Sequence, residues 1–230
     1  MSRQLSFDLP MRAALGRSDF FVCPSNAMAV ALIEGWENWP ARKLVLLGET
    51  GAGKTHLAHV WAALARASIL PARDVTEDIV PPLSQTNLVL EDIQNAVGNL
   101  KTETALFHLH NLALSEGNAL LFTANAPLAT LNFALPDLQS RLQGAQSATL
   151  DRPDDTLLAA VLMKLFADRQ LIPSADTVPY LVTRMNRSLA EAQRIVDLID
   201  KTALSEKRAI TRKLAIEVLE RDAQNDLLDN

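Results

Sequence analysis

Eight consecutive residues carry the plainest chemistry in the chain: Gly48-Glu49-Thr50-Gly51-Ala52-Gly53-Lys54-Thr55. They fill every fixed position of the pattern G-x-x-x-x-G-K-[ST]. Glycine lets the backbone curl so that successive N–H groups converge on phosphate oxygens. A helix starting at the end of the loop adds the partial positive charge of its N-terminus. The Lys54 ammonium can reach the β- and γ-phosphates, and the Thr55 hydroxyl can ligate Mg²⁺. A chance glycine turn would need no particular setting. Here the apolar run Leu44-Val45-Leu46-Leu47 precedes the loop and a helical pattern over 57–66 follows it, which is the strand–loop–helix context the chemistry needs. The implied cofactors are ADP or ATP with Mg²⁺, held by residues 48–55, with His56 counted among the nucleotide-binding positions.

Such a loop needs an acidic partner on a neighbouring strand. Leu88-Val89-Leu90-Glu91-Asp92 supplies one, an apolar strand ending in two carboxylates. Without the loop these would read as solvated acids. Beside it, Glu91 reads as a Mg²⁺ ligand and Asp92 as a catalytic carboxylate. P-loop ATPases more often place Asp first and Glu second. The reversed order, with the longer acid acting through a metal-bound water, predicts slow intrinsic hydrolysis.

The elements that must position these groups follow from periodicity. Apolar residues at helical spacing predict a helix over 27–38, ended by Pro40. Short apolar runs predict buried strands at 44–47, 68–70, 87–90 and 119–123, with helices at 57–66 and 102–115 between them. Alternating strands and helices predict an α/β fold with a parallel sheet. Beyond residue 150 only amphipathic helices are predicted, at 154–170, 175–185, 188–205 and 211–221. Ser188 and Thr211 stand as N-caps, with Glu191 as a capping-box partner. The expected organisation is a tail at 1–10, an α/β nucleotide-binding domain at 11–150 and a small all-helical lid at 151–230.

Composition sets bounds. The chain has 230 residues, 48% hydrophobic and 21% charged, and a formal net charge of −5, so there is no global positive field to hold nucleic acid. Acids also outnumber bases in the lid, so no strong direct DNA binding is expected. One cysteine, Cys23, excludes an internal disulfide and the usual zinc sets. No apolar run has the length of a membrane span, and the N-terminus has no signal pattern; cytoplasmic residence is the expectation. The histidines lack ligand spacing, and Trp36, Trp39 and Trp61 read as packing rather than a base-stacking platform.

An α/β P-loop core followed by a helical lid resembles the AAA+ proteins, and more local segments resemble the DnaA family. Phe20-Phe21-Val22-Cys23-Pro24-Ser25-Asn26 is similar to the opening of that family's ATPase core. Lys54-Thr55-His56-Leu57, Leu90-Glu91-Asp92-Ile93-Gln94, Phe107-His108-Leu109-His110-Asn111, Leu121-Phe122-Thr123-Ala124-Asn125-Ala126-Pro127 and Leu135-Pro136-Asp137-Leu138-Gln139-Ser140-Arg141-Leu142 follow in the family's order. The resemblance covers about residues 18–220. The chain ends soon after the lid, so DnaA's helix-turn-helix domain is not expected. The start, Gln4-Leu5-Ser6-Phe7-Asp8-Leu9, is similar to peptides that dock on the bacterial sliding clamp, a feature of the Hda-type regulators within this family. Leu5, Phe7 and Leu9 could enter an apolar groove while Gln4 hydrogen-bonds at its edge. The same alternation also fits an edge strand of the core.

The resemblance implies three further roles. Asn125 matches sensor 1, which contacts the γ-phosphate or attacking water; read alone it is a turn asparagine before Pro127. Arg141 matches the arginine finger, which reaches a nucleotide bound in a neighbouring subunit; the alternative is a surface arginine. Arg187 matches sensor 2, a guanidinium closing over its own subunit's phosphates. The implied partners are DnaA, the sliding clamp and, through an AAA+ interface, a further copy of the chain. The implied function is a regulator that promotes hydrolysis of DnaA-bound ATP and so prevents over-initiation. The competing readings are a DnaC-like ATPase loader working by its own hydrolysis, and a small-molecule kinase, which the lid and the Ser140-Arg141 motif disfavour.

Overall fold

The computed structural model describes residues 21–228; the tail at 1–10, with the clamp-peptide residues 4–9, lies outside them. Five strands form one parallel sheet: β1 (Lys43–Leu47), β2 (Ser68–Pro71), β3 (Leu88–Glu91), β4 (Leu120–Ala124) and β5 (Gln146–Thr149), in the order β2-β3-β4-β1-β5. β1 pairs with β4 on one side, Leu44 opposite Leu121, and with β5 on the other, Leu44 opposite Gln146.

Apolar residues serve both faces of the inner strands, which is why β1, β3 and β4 read as continuous hydrophobic runs. Leu44, Leu46, Val89, Leu121 and Ala148 bury against α1 (Ala27–Glu34) and α2 (Lys54–Ala65). Their neighbours Val45, Leu88, Leu90, Leu120 and Phe122 face the other way, onto α3 (Val80–Leu83), α4 (Leu100–Ser115) and α5 (Pro136–Gln143). The period of two along each strand thus fills two separate cores.

The lid has a core of its own, built from α6 (Asp155–Asp168), α7 (Thr177–Arg184), α8 (Leu189–Glu206) and α9 (Arg212–Leu228). Ser188 caps α8 by accepting from the Glu191 N–H at 3.3 Å, and Thr211 Oγ1 accepts from the Leu214 N–H at 3.4 Å. The expected capping box is not formed. Glu191 turns to Arg194, which also forks onto Asp222 of α9. The Ser188 N–H already donates to the Asn186 carbonyl at 2.8 Å, and the bond from a guanidinium to a carboxylate carries charge on both partners, where a back-bond to the cap N–H would carry it on one.

Two other expectations are corrected. The helix expected over 27–38 stops at Glu34. Past Gly35 the chain makes short 3₁₀ turns at Trp36–Asn38 and Pro40–Arg42. These turns carry Trp36 and Trp39 onto the buried Trp61, one edge-on at 6.1 Å and the other stacked at 5.1 Å. The P-loop helix begins at Lys54, three residues before the position its apolar pattern suggests, because Gly53 takes the left-handed conformation (φ 101°) that turns the loop into the helix. α5 and β5 carry too few buried side chains to have been foreseen.

Candidate nucleotide site

Gly48–Thr55 spans the gap between the end of β1 and the first turn of α2. Gly51 and Gly53 both have positive φ, 81° and 101°, which only glycine adopts without strain. Gly48 is required by proximity: a Cβ there would lie 2.7 Å from the Leu150 carbonyl oxygen. Lys54 is buried, and its ammonium curls back to donate to the carbonyls of Gly48 at 2.7 Å and Glu49 at 2.9 Å. Burial pushes its pKa below the usual lysine value, and the charges of Asp92 and Glu91 oppose that shift. The two carboxylates at the end of β3 therefore lie within electrostatic range of the P-loop lysine, as the acid-pair reading requires.

Glu91 Oε1 is buried with no hydrogen-bond partner in the protein. A carboxylate oxygen left bare, within electrostatic range of the Lys54 ammonium, suits an ion or an ion-bound water. Thr55 is exposed on the first turn of α2. Asp92 adopts a left-handed backbone conformation (φ 53°). Its N–H donates to Thr123 Oγ1 on β4 at 2.9 Å, and its Oδ1 accepts from Gln94 at 3.1 Å. Gln94 also accepts from the Asn125 N–H at 3.3 Å. These bonds stitch the ends of β3 and β4 together, so Asp92 and Asn125 share one edge of the site. Gln94 and Thr123 were not singled out in the sequence; only the strand pairing gives them this role.

The lid reaches the loop. The Leu189 N–H, at the start of α8, donates to the Gly51 carbonyl at 2.8 Å. A Cβ on Gly51 would lie 1.9 Å from Ser188 Oγ. Arg187 therefore lies beside the P-loop along the chain, but its guanidinium is 2.6 Å from Asp155 of α6 and half exposed. A second ion pair, Arg152 to Glu49 at 2.6 Å, links the lid's first residues to the loop. Both pairs are exposed, so each contributes little to stability. His56 is half-buried one residue past the loop.

Arg141 lies elsewhere. It is exposed in the last turn of α5 and has no ion pair among the described residues. Its carbonyl accepts from the ammonium of Lys43, the first residue of β1, at 2.6 Å. The chain then enters β5 at Gln146, opposite Leu44. The end of α5 thus sits at the start of β1, whereas the P-loop follows the end of β1, a strand length of about 13 Å away at 3.3 Å per residue. The backbone of Arg141 is thus held near the end of β1 away from the P-loop.

With this geometry in hand, comparisons with known proteins give a consistent picture. No family model matches the chain. The chain is 25% identical over 223 residues to the chromosomal replication initiator protein DnaA of Thermomicrobium roseum, an alignment covering 87% of this chain and 48% of that one. It therefore spans about half the length of that relative. Domain III of the Thermotoga maritima replication initiation protein DnaA superposes with a TM-score of 0.80 at 18% identity, over 93% of this chain and 98% of that one. AMPPCP-bound DnaA from Aquifex aeolicus superposes with a TM-score of 0.70 at 17% identity, covering 91% and 69%. The parallel five-stranded sheet with its helical lid is the DnaA domain III fold. Among the described residues no helix is long and apolar enough to cross a membrane, and no three His, Cys, Asp or Glu side chains gather as a metal set.

Proposed function

We propose that this chain, a DnaA-like AAA+ protein, regulates its larger homologue. It binds ADP or ATP with Mg²⁺, docks on the DNA sliding clamp through residues 4–9, and presents Arg141 to ATP held by DnaA, so that DnaA hydrolyses it. The observation that carries the reading is the position of Arg141: an exposed guanidinium on the last turn of α5, about a strand length from its own P-loop. A positive charge carried at the far end of β1 from its own P-loop is suited to the phosphates of a neighbour, where it would stabilise charge developing on the transferred group.

The site's residues divide the remaining work. Backbone N–H groups of residues 48–55 and the Lys54 ammonium would bind the phosphates once Lys54 releases the two loop carbonyls it now holds. Thr55 and Glu91 would hold Mg²⁺, which when bound neutralises phosphate charge. Asp92 and Asn125 share the γ-phosphate edge. Arg187 would have to leave Asp155 to reach the phosphates, so nucleotide binding and lid position are coupled in this reading.

The test is hydrolysis of DnaA-bound ATP in the presence of this protein, loaded clamp and DNA. Omission of either this protein or the clamp should return the rate to that of DnaA alone. Stimulation that persists without the clamp would remove the docking step from the reading. Rapid DNA-dependent turnover by this chain alone, without DnaA, would favour the loader alternative.

The tail has its own prediction. Deleting residues 1–10, or changing Leu5 and Phe7 to Ala, is expected to abolish clamp binding in a surface-plasmon titration while leaving the melting temperature and ADP affinity unchanged. A large fall in melting temperature on deletion would instead make the segment part of the core.

A further inference from the structure

We propose that Lys43 is a positioning residue for Arg141, an internal prop that fixes the last turn of α5 from beneath; the proposal rests on the trans role of Arg141 advanced above. Nothing in the sequence marks Lys43, which lies one residue before the strand predicted at 44–47. In the fold it is 6% exposed, and its ammonium lies under the C-terminus of α5. The last carbonyls of a helix have no partner within it and carry the negative end of its dipole. Lys43 answers both needs at once: Nζ donates to the Arg141 carbonyl at 2.6 Å, in the last turn.

A second buried group faces the ammonium. His110, on α4, is 2% exposed, and its Nε2 lies 3.5 Å from Lys43 Nζ. His110 Nδ1 pairs with Asn111 Oδ1 at 3.2 Å. An amide oxygen only accepts, so Nδ1 carries the proton and Nε2 is the acceptor facing Lys43. Burial, against the opposing hydrogen bond to Asn111 and with smaller help from the charges of Lys43 and Arg141, pushes the imidazole down to about 4 and so keeps it neutral near neutral pH. A neutral acceptor and a helix carbonyl therefore bracket one buried ammonium. The chain Asn111–His110–Lys43 fastens α5 to the start of β1 and to α4. The backbone atom it grips belongs to the very residue whose side chain must meet a neighbour's phosphates. A long guanidinium has many rotamers, and fixing its Cα is the means by which the fold limits where it can reach.

The test uses the full-length chain with Lys43→Met, which keeps the apolar stem but removes the charge and the donor; the Arg141 carbonyl and His110 Nε2 then lose their partner, so thermal unfolding is measured alongside to show that the variant is folded. Lys43→Arg, which keeps a donor, is the rescue variant. In the reconstituted reaction with clamp, DNA and ATP-bound DnaA, Lys43→Met is expected to lower the saturating rate about ten- to a hundredfold, the scale of an ångström-sized misplacement. The concentration giving half-maximal stimulation and the chain's own ADP affinity should stay as in the wild type. Lys43→Arg should restore most of the rate. Amide exchange measured by mass spectrometry should quicken in the segment 141–145 and not in the P-loop. A wild-type saturating rate in Lys43→Met, with Arg141→Ala inactive, overturns the proposal; so does a loss of ADP affinity that accounts for the loss of rate. If Arg141→Ala itself works as well as the wild type, the trans reading fails instead. The exchange arm then decides the anchoring alone: quickened exchange at 141–145 upholds the prop, and unchanged exchange overturns it.

Discussion

Lys54→Ala is expected to weaken ADP binding about a hundredfold or more, which is about 3 kcal/mol. The lysine is buried and already desolvated in the free protein, where its partners are the carbonyls of Gly48 and Glu49. A diphosphate offers the ammonium charged oxygens in place of neutral carbonyls, and that exchange is the source of affinity. With alanine the phosphates keep their backbone donors but lose the one full positive charge of the loop. The carboxylates of Glu91 and Asp92, whose fields now act on Lys54, would then face the phosphates uncompensated. Folding should suffer less than binding, because removing a buried charge also removes the cost of burying it. Calorimetric titration with ADP, alongside thermal unfolding, separates the two. Affinity equal to the wild type in a folded Lys54→Ala protein would refute the assignment of residues 48–55 as the phosphate cradle.

Why this site was legible while other parts of the molecule were not has a physical explanation. A P-loop is a local object. Its glycines, lysine and threonine act through backbone geometry set within eight residues, so the motif carries its own structure. The strands β1, β3 and β4 were legible because a parallel strand buried on both faces must be apolar throughout. β5 breaks that rule. As an edge strand it buries Ala148 alone of Gln146–Thr149, and nothing in its composition speaks for a strand. α5 likewise buries only Leu138 and Leu142 of its eight residues. Its sequence was read for Arg141 and not for the helix that carries it. The capping-box expectation failed for a related reason, since Glu191 found Arg194, and Arg194 in turn found Asp222, a residue 28 positions along the chain. Lys43, His110 and the carbonyl of Arg141 lie 67 and 98 residues apart in sequence and meet only through the strand order. Local pattern reveals what acts locally. It is silent wherever the topology brings the partners together.

Arg141→Ala is the substitution expected to separate binding from action. The side chain is exposed and, among the described residues, makes no ion pair. Its truncation should therefore change stability by no more than about 0.5 kcal/mol, the usual range for such surface positions. The structural contact at this residue is the Lys43 bond to its carbonyl, which alanine retains. Own-nucleotide affinity should also be unchanged, because the P-loop lies about a strand length away. Clamp binding, proposed for residues 4–9, should be unaffected. Hydrolysis of DnaA-bound ATP should nevertheless fall steeply, since trans-acting arginines contribute about 10³–10⁵ in rate in related phosphoryl transfers. The measured ratio will be smaller if hydrolysis by DnaA alone sets the floor. Lys54→Ala provides the contrast: it can impair stimulation only by emptying this chain's own site, so its defect should ease as ADP concentration is raised, whereas the defect of Arg141→Ala should not. A clamp-bound, nucleotide-loaded Arg141→Ala protein that stimulates DnaA as well as the wild type would mean that another surface of this chain acts on the initiator.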